Sequence, residues 1–396
     1  MCINFKKVIT TAAERACFGA SWLVLCIPMI VLSVGLPAAA QSPPFTTISG
    51  TIGPGALYEI ALPTGPWNGE LVIFAHGMVP PNGPPALPDV VSLANMLTSQ
   101  GFALICSSYS ENGYAVKDGM QRTHQLRGIF TSRVRRPTRV YLVGFSLGGL
   151  ISVMLAERFP GQYDGVLSLS GLLGGGAEEL KYLSDARILF DYFFPGVIPG
   201  TALYIPPGID FSPGGPTFMA VYNALIGGLF SAGQPTLQFA NAAKLPANNV
   251  PEIISAGMNV AGFCVTHING LLALTNGHMP YDNTSTVYSG SADDVALNAG
   301  VARYVSDPSA VNYMQHYYTP SGELHIPVVT LHTTRDPIVP IFHEQMYAEA
   351  AEKAGSLQYL LQRSVDAFGH GAVSDADVAA AFFAMVQWVH TGVKPL

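Results

Sequence analysis

The sequence predicts an α/β fold: a mostly parallel sheet flanked by helices, with an inserted, mainly helical lid. Three observations lead there. Apolar runs of strand length alternate with helical stretches over the first half of the chain, and connections of that length pair strands in parallel. A strand, a G-x-S-x-G turn and a helix stand in succession between Val140 and Phe159. The alternation then lapses from Gly171 to about Glu323 and resumes beyond it, a gap too long for a structureless loop and therefore read as an insertion.

Taken in order, the first segment stands apart. Lys6, Lys7 and Arg15 lead into an apolar stretch from Ala16 to Leu36, and Ala38-Ala39-Ala40 precedes Gln41. A basic start, an apolar middle and a small-residue end have the form of a secretory signal cut after Ala40. An uncleaved anchor is the alternative, because the apolar run is long; Pro28, Pro37 and the small residues favour cleavage. The expected location is secreted or periplasmic, with no stable membrane insertion after cleavage. The domain reading is a signal peptide at 1–40, a first core part at 41–175, the lid at 176–325 and a second core part at 326–396.

The 396 residues are 49% hydrophobic and 11% charged, enough apolar material for a large core without covalent staples. Loss of residues 1–40 removes three positive charges and one negative, moving the formal charge from −7 to −9. An acidic chain with no basic stripe excludes nucleic acid as a partner. Of five cysteines, Cys106 and Cys264 remain after cleavage. In an oxidising compartment they are expected to form a disulfide tying lid to sheet, two separate buried thiols being the alternative.

Ala56 to Leu62 alternates as an early strand, and Glu70 to Ala75 is the continuous apolar kind buried on both faces. His76-Gly77-Met78 follows, then a Pro-rich loop, a helix from Asp89 to Gln100 stopped by Gly101, a strand at Phe102 to Cys106, and a helix from about Met120 to Val134. Gly165 to Ser170 reads as another strand. Inside the insertion, helices are expected at Thr217 to Phe230, Thr236 to Lys244, Pro251 to Leu274 and Asp293 to Val305, after a Gly174-Gly175-Gly176 turn and an aromatic, Pro-rich section from Leu189 to Pro216. The sheet resumes at Ile326 to Leu331; a helix at Phe342 to Ala354 and a strand at Gln358 to Gln362 follow. The last helix opens at Ser374 with Asp377 three residues on, a capping pattern.

Gly144 and Gly148 flank Ser146 because a tight turn with a serine at its apex leaves no room for neighbouring Cβ atoms. Ser146 then projects from the sheet at the start of a helix whose N–H groups favour developing negative charge; a merely structural turn is the bland alternative. A serine hydroxyl needs a base, and an imidazole serves best when a carboxylate fixes its tautomer. Asp336 and His370 each follow a strand, the edge where a parallel sheet places its site.

On HGM at 76–78, GFSLGG at 144–149, RDPIVP at 335–340 and FGHG at 368–371, the chain resembles the α/β-hydrolase superfamily over about 56–175 and 324–392; the order Ser, Asp, His agrees. The resemblance implies Ser146 as nucleophile, Asp336 as acid, His370 as base and an oxyanion hole from the backbone N–H groups of Met78 and Leu147. It implies a secreted carboxylic ester hydrolase acting through an acyl-enzyme, without cofactor, on a small-molecule or polymeric ester. A serine peptidase of the same fold is the runner-up, and a non-catalytic binding module the reading from a different class.

The remaining candidates have blander readings beside them. Asp366 and Asp282 are lesser candidates for the acid. His76 reads as a loop brace, His332 as structural and Arg335 as a rim pair. Glu178 and Glu179 are expected on a solvated helix face, with amine binding as the sharper alternative. The lid aromatics, among them Phe190, Tyr192, Phe193, Phe194, Tyr204, Phe211, Phe218 and Tyr222, suggest an ester with a bulky or apolar part. No pair of histidines at helical spacing has a third ligand, so no metal is expected. No dinucleotide or Walker pattern follows the first strand.

Overall fold

The computed structural model describes residues 45–81 and 83–396; the segment read as a signal peptide lies outside them. The strands are β1 (Phe45–Ile52), β2 (Ala56–Pro63), β3 (Glu70–Ala75), β4 (Ala103–Ser107), β5 (Arg139–Phe145), β6 (Gly165–Leu169), β7 (Val328–Arg335) and β8 (Leu360–Phe368). They form one sheet in the order β1-β2-β4-β3-β5-β6-β7-β8. β1 and β2 join antiparallel at one edge; from β4 to β8 every pairing is parallel. The connections carry helices α1 (Val91–Ser99), α2 (Val116–Arg133) and α3 (Leu147–Arg158), and after the insertion α10 (Phe342–Lys353) and α11 (Asp375–Thr391).

The central strands read as unbroken apolar runs because both faces are covered. Val140 and Leu142 of β5 join the core under α2 and α3, while Tyr141 and Val143 join a second core with Leu97 of α1 and Phe382 and Trp388 of α11. The expected two-sided burial of Glu70 to Ala75 is met the same way: Leu71, Ile73 and Ala75 go to one core and Val72 to the other.

Between β6 and β7 the chain builds six helices: α4 (Gly176–Phe193), α5 (Pro216–Phe230), α6 (Pro235–Ala242), α7 (Val250–Leu274), α8 (Asp294–Gly300) and α9 (Pro308–Tyr318). α7 is long and apolar enough to cross a membrane by length and composition, yet it packs against α4 and α5 through residues from Ile254 to Leu271. Three elements escaped the sequence reading. β1 has an exposed, polar-alternating face; α4 begins at the glycine turn, which reads as a breaker; α9 starts from Asp307 with Pro308 at its first position.

Cys106 and Cys264 are both free and buried, which overturns the expected disulfide. Cys106 lies inside β4, whereas Cys264 faces the interior of the insertion, its thiol directed at the Leu183 carbonyl 3.4 Å away. Cys106 lies beside Glu59, Val90 and Ala94, far from the neighbours of Cys264 in the insertion, and burial pushes both thiols up to about 12.

Candidate active site

β5 turns into α3 at Ser146, whose φ of 56° and ψ of −121° lie outside the regions open to ordinary L-residues. Close approach of backbone to backbone enforces the turn. A Cβ on Gly144 would stand 2.0 Å from the Gly148 carbonyl oxygen, and one on Gly148 would stand 2.0 Å from that of Ala75. The Ser146 N–H donates to the Leu169 carbonyl at 2.8 Å, anchoring the turn on β6.

Asp336 begins the turn after β7 and is fully buried. Its Oδ1 accepts from the N–H groups of Ile338 and Val339, each at 2.9 Å. That leaves Oδ2 for His370, whose Nδ1 is 2.7 Å away. An acceptor-only carboxylate in that position fixes the proton on Nδ1 and leaves Nε2 as the basic nitrogen. Burial alone would raise the Asp336 carboxyl, but the His370 charge and the His332 hydrogen bond outweigh it and hold the group well below the usual carboxylate range.

The histidine turn is seated on the serine turn. A Cβ on Gly371 would come 2.5 Å from the Phe145 ring, and that ring lies 5.0 Å from the His370 ring, centroid to centroid. Phe145 directly precedes Ser146. Gly77 approaches on the other side: a Cβ there would fall 3.1 Å from the Ser146 Cβ. The Ser146 hydroxyl makes no hydrogen bond to His370 among the described residues, a spacing common before substrate draws such contacts together.

Behind Asp336 lies a polar network the sequence did not reveal. His332 is fully buried with Nε2 2.7 Å from the Val339 carbonyl and 3.5 Å from Asp336 Oδ2, and Nδ1 3.1 Å from Glu344 Oε1. Burial opposes its charge, but hydrogen bonds to Asp336 and Glu344 prevail and raise it to about 10. Glu344 also accepts from Thr330 Oγ1 and, at 2.7 Å, from Gln362 Nε2. Asp336 is thus braced by an imidazolium and, through it, a second carboxylate.

Ser146 opens on a pocket lined by Met78, Tyr114, Leu147, Leu172, Glu179 and Phe263, with Ile338 and Val339 beside them. The N–H groups of Met78 and Leu147 have no backbone acceptor among the described residues, as expected of a free loop donor and a first-turn helix donor. The aromatic residues read from the sequence as a lid surface mostly pack on one another: Phe190, Phe194 and Phe239 form one cluster, and Phe211 contacts Phe218. Phe263 of α7, not one of that set, is the aromatic of the insertion among the pocket's lining residues.

Other candidates fall elsewhere. His76 stacks on Tyr109 at 3.7 Å and has Nδ1 2.6 Å from the Gly77 carbonyl, a loop brace as read. Arg335 pairs with Asp366 and, at 3.2 Å, with Glu252 at the start of α7, tying the acid turn to the insertion. Asp366 is exposed and Asp282 closes a turn with Thr284, so neither meets His370. Glu179 contradicts the solvated-face expectation: it is 1% exposed because the face of α4 that carries it turns inward.

Residues 124–187 match the family model described as "Putative esterase". No curated protein matches in sequence. Among solved structures, feruloyl esterase B from Aspergillus oryzae aligns at 16% identity and TM-score 0.50, over 89% of this chain and 82% of its own. The acylaminoacyl peptidase of Pyrococcus horikoshii aligns at 10% identity and TM-score 0.45, over 89% of this chain; the chain spans only 42% of that protein's length. The monoacylglycerol lipase of Paleococcus ferrophilus aligns at 14% identity and TM-score 0.41, over 88% of this chain and 99% of its own.

Proposed function

We propose, from the premise that the chain belongs to the α/β-hydrolase superfamily, that it hydrolyses carboxylic esters through an acyl-enzyme formed on Ser146. One observation carries this reading: the 2.7 Å contact between Asp336 and His370, on a turn that packs against the strained serine turn through Phe145. Nε2 of His370 takes the Ser146 proton as Oγ attacks the ester carbon. The N–H groups of Leu147 and Met78 receive the oxyanion, each donor being worth about 2.7 to 4 kcal/mol in comparable sites. Protonated His370 then gives its proton to the leaving alkoxide. Water, activated by the same nitrogen, releases the acid and restores Ser146.

The N-terminal segment supports action outside the cytoplasm, secreted or periplasmic, and the helical insertion acts as a lid over the pocket. Leu172, Phe263, Ile338 and Val339 give that pocket an apolar wall, which suits a small acyl group better than a peptide. The test is turnover of short and long p-nitrophenyl esters beside amino-acid anilides. Ester turnover alone supports the reading; cleavage of anilides in preference makes the chain a peptidase; folded protein that cleaves neither makes it a binder.

A further inference from the structure

Two residues that line the serine pocket each carry a buried polar atom with no hydrogen-bond partner among the described residues: Glu179 its Oε1 and Tyr114 its hydroxyl. A buried polar atom left unpaired is costly, so two of them on residues of one pocket mark a place where a ligand supplies the missing partner.

The tautomer of the histidine beside Glu179 follows from geometry. His343 on α10 accepts at Nδ1 from the Gly174 N–H at 3.0 Å. Its single ring proton is therefore on Nε2, which donates to Glu179 Oε2 at 3.1 Å. The glycine is required for that approach, since a Cβ on Gly174 would fall 2.8 Å from Nδ1. His343 brings no positive charge: burial and the nearby His332 charge bring it down to about 3. Glu179 faces the Asp336 carboxylate as well as His370 and His332; burial first, then Asp336, push its carboxyl well above the ordinary value. Burial and the neighbouring Glu179 keep Tyr114 a neutral phenol.

We infer that Glu179 acts with the Tyr114 hydroxyl as a specificity pair that hydrogen-bonds an uncharged oxygen carried on the acyl chain of the substrate, beyond the scissile carbonyl. The favoured substrates are esters of oxygen-bearing acids, with a hydroxyl, ether or second carbonyl, and not of amino acids. A donor that goes unmatched rejects an apolar isostere far more strongly than an apolar pocket rejects a methylene. This inference rests on the esterase reading.

Three isosteric p-nitrophenyl esters test it: methoxyacetate, butyrate and 3-aminopropanoate, each kcat/KM divided by the rate of buffer hydrolysis. Wild type is expected to favour methoxyacetate over butyrate. That ratio should fall about tenfold in Glu179→Leu and several-fold in Tyr114→Phe, and stay within threefold in Glu179→Gln, which keeps a neutral donor. An unchanged ratio in both Glu179→Leu and Tyr114→Phe overturns the assignment, as does a preference for 3-aminopropanoate that Glu179→Gln abolishes. A separate readout needs no turnover: the infrared difference between wild type and Glu179→Gln at pH 7. Loss of a protonated-carboxyl band supports the neutral acid whatever the fate of the esterase reading, and loss of a carboxylate band overturns it.

Discussion

Asp336 touches two imidazoles, and they do different work. His370 stands at the rim, partly open to solvent, whereas His332 is fully enclosed between Asp336 and Glu344. The folded His332 is raised to about 10 from 6.5. A raised group contributes stability that is fully present below its unfolded value and is lost as pH rises through the folded one. Stability should thus decline by up to about 1.4 kcal/mol per pH unit across that window, and the decline should be shallower in His332→Gln, as denaturant titrations between pH 6 and 10 would measure. Wild type and variant with equal slopes would contradict the charged pair. For the triad itself, Ser146→Ala should cost on the order of a million-fold in kcat. Asp336→Asn should cost about ten thousand-fold by freeing the wrong tautomer, and a variant of either within tenfold of wild type in ester turnover would break the assignment. At this scale Ser146, Asp336 and His370 were legible because each stands in a short local motif. His332 reads as structural, as its burial and hydrogen bonds bear out, but the burial of Glu179 was not legible: it depends on which way a helix face turns, and no local spacing encodes that.

The serine turn shows how an element is held by atoms that are missing. A Cβ on Gly148 meets the backbone of β3, which cannot yield without moving the central sheet. Gly148→Ala should destabilise by about 3 kcal/mol or more and lose ester turnover together with thermal stability; a folded, active variant would show that the approach is looser than described. α11 offers the opposite case. Ser374 and Asp377 cap it reciprocally, as their spacing implied, and Ser374→Ala should cost about 1 kcal/mol in denaturant unfolding while kcat/KM stays level. Strands buried on both faces and capped helices were readable because their patterns are local. α4 was not, since its glycine-rich start serves close packing: Gly175 lies against Thr319 and Gly176 against Tyr114. The interruption that looked like a breaker is a contact surface.

At the scale of the molecule, no disulfide among the described residues ties the insertion to the core. Arg335 reaches Glu252 on α7, Tyr182 of α4 donates to the Pro337 carbonyl at 3.1 Å, and His343 reaches Glu179. Two thiols should therefore titrate in denatured, unreduced mature protein and none rapidly in the native state, with a melting temperature indifferent to reductant; a missing thiol pair would restore the disulfide. The sequence pairing failed because position along the chain, which brought Cys106 to the end of a strand and Cys264 into a lid helix, carries no information on which face each side chain takes. The central claim is that Ser146 is the one activated hydroxyl. It is tested most directly with a fluorophosphonate, which forms a bond from phosphorus to an activated serine oxygen as fluoride leaves, followed by intact mass and peptide mapping. The account predicts a single adduct on Ser146, absent in Ser146→Ala and slowed by orders of magnitude in His370→Ala. An adduct on another residue, or a folded wild type that takes none, would contradict it.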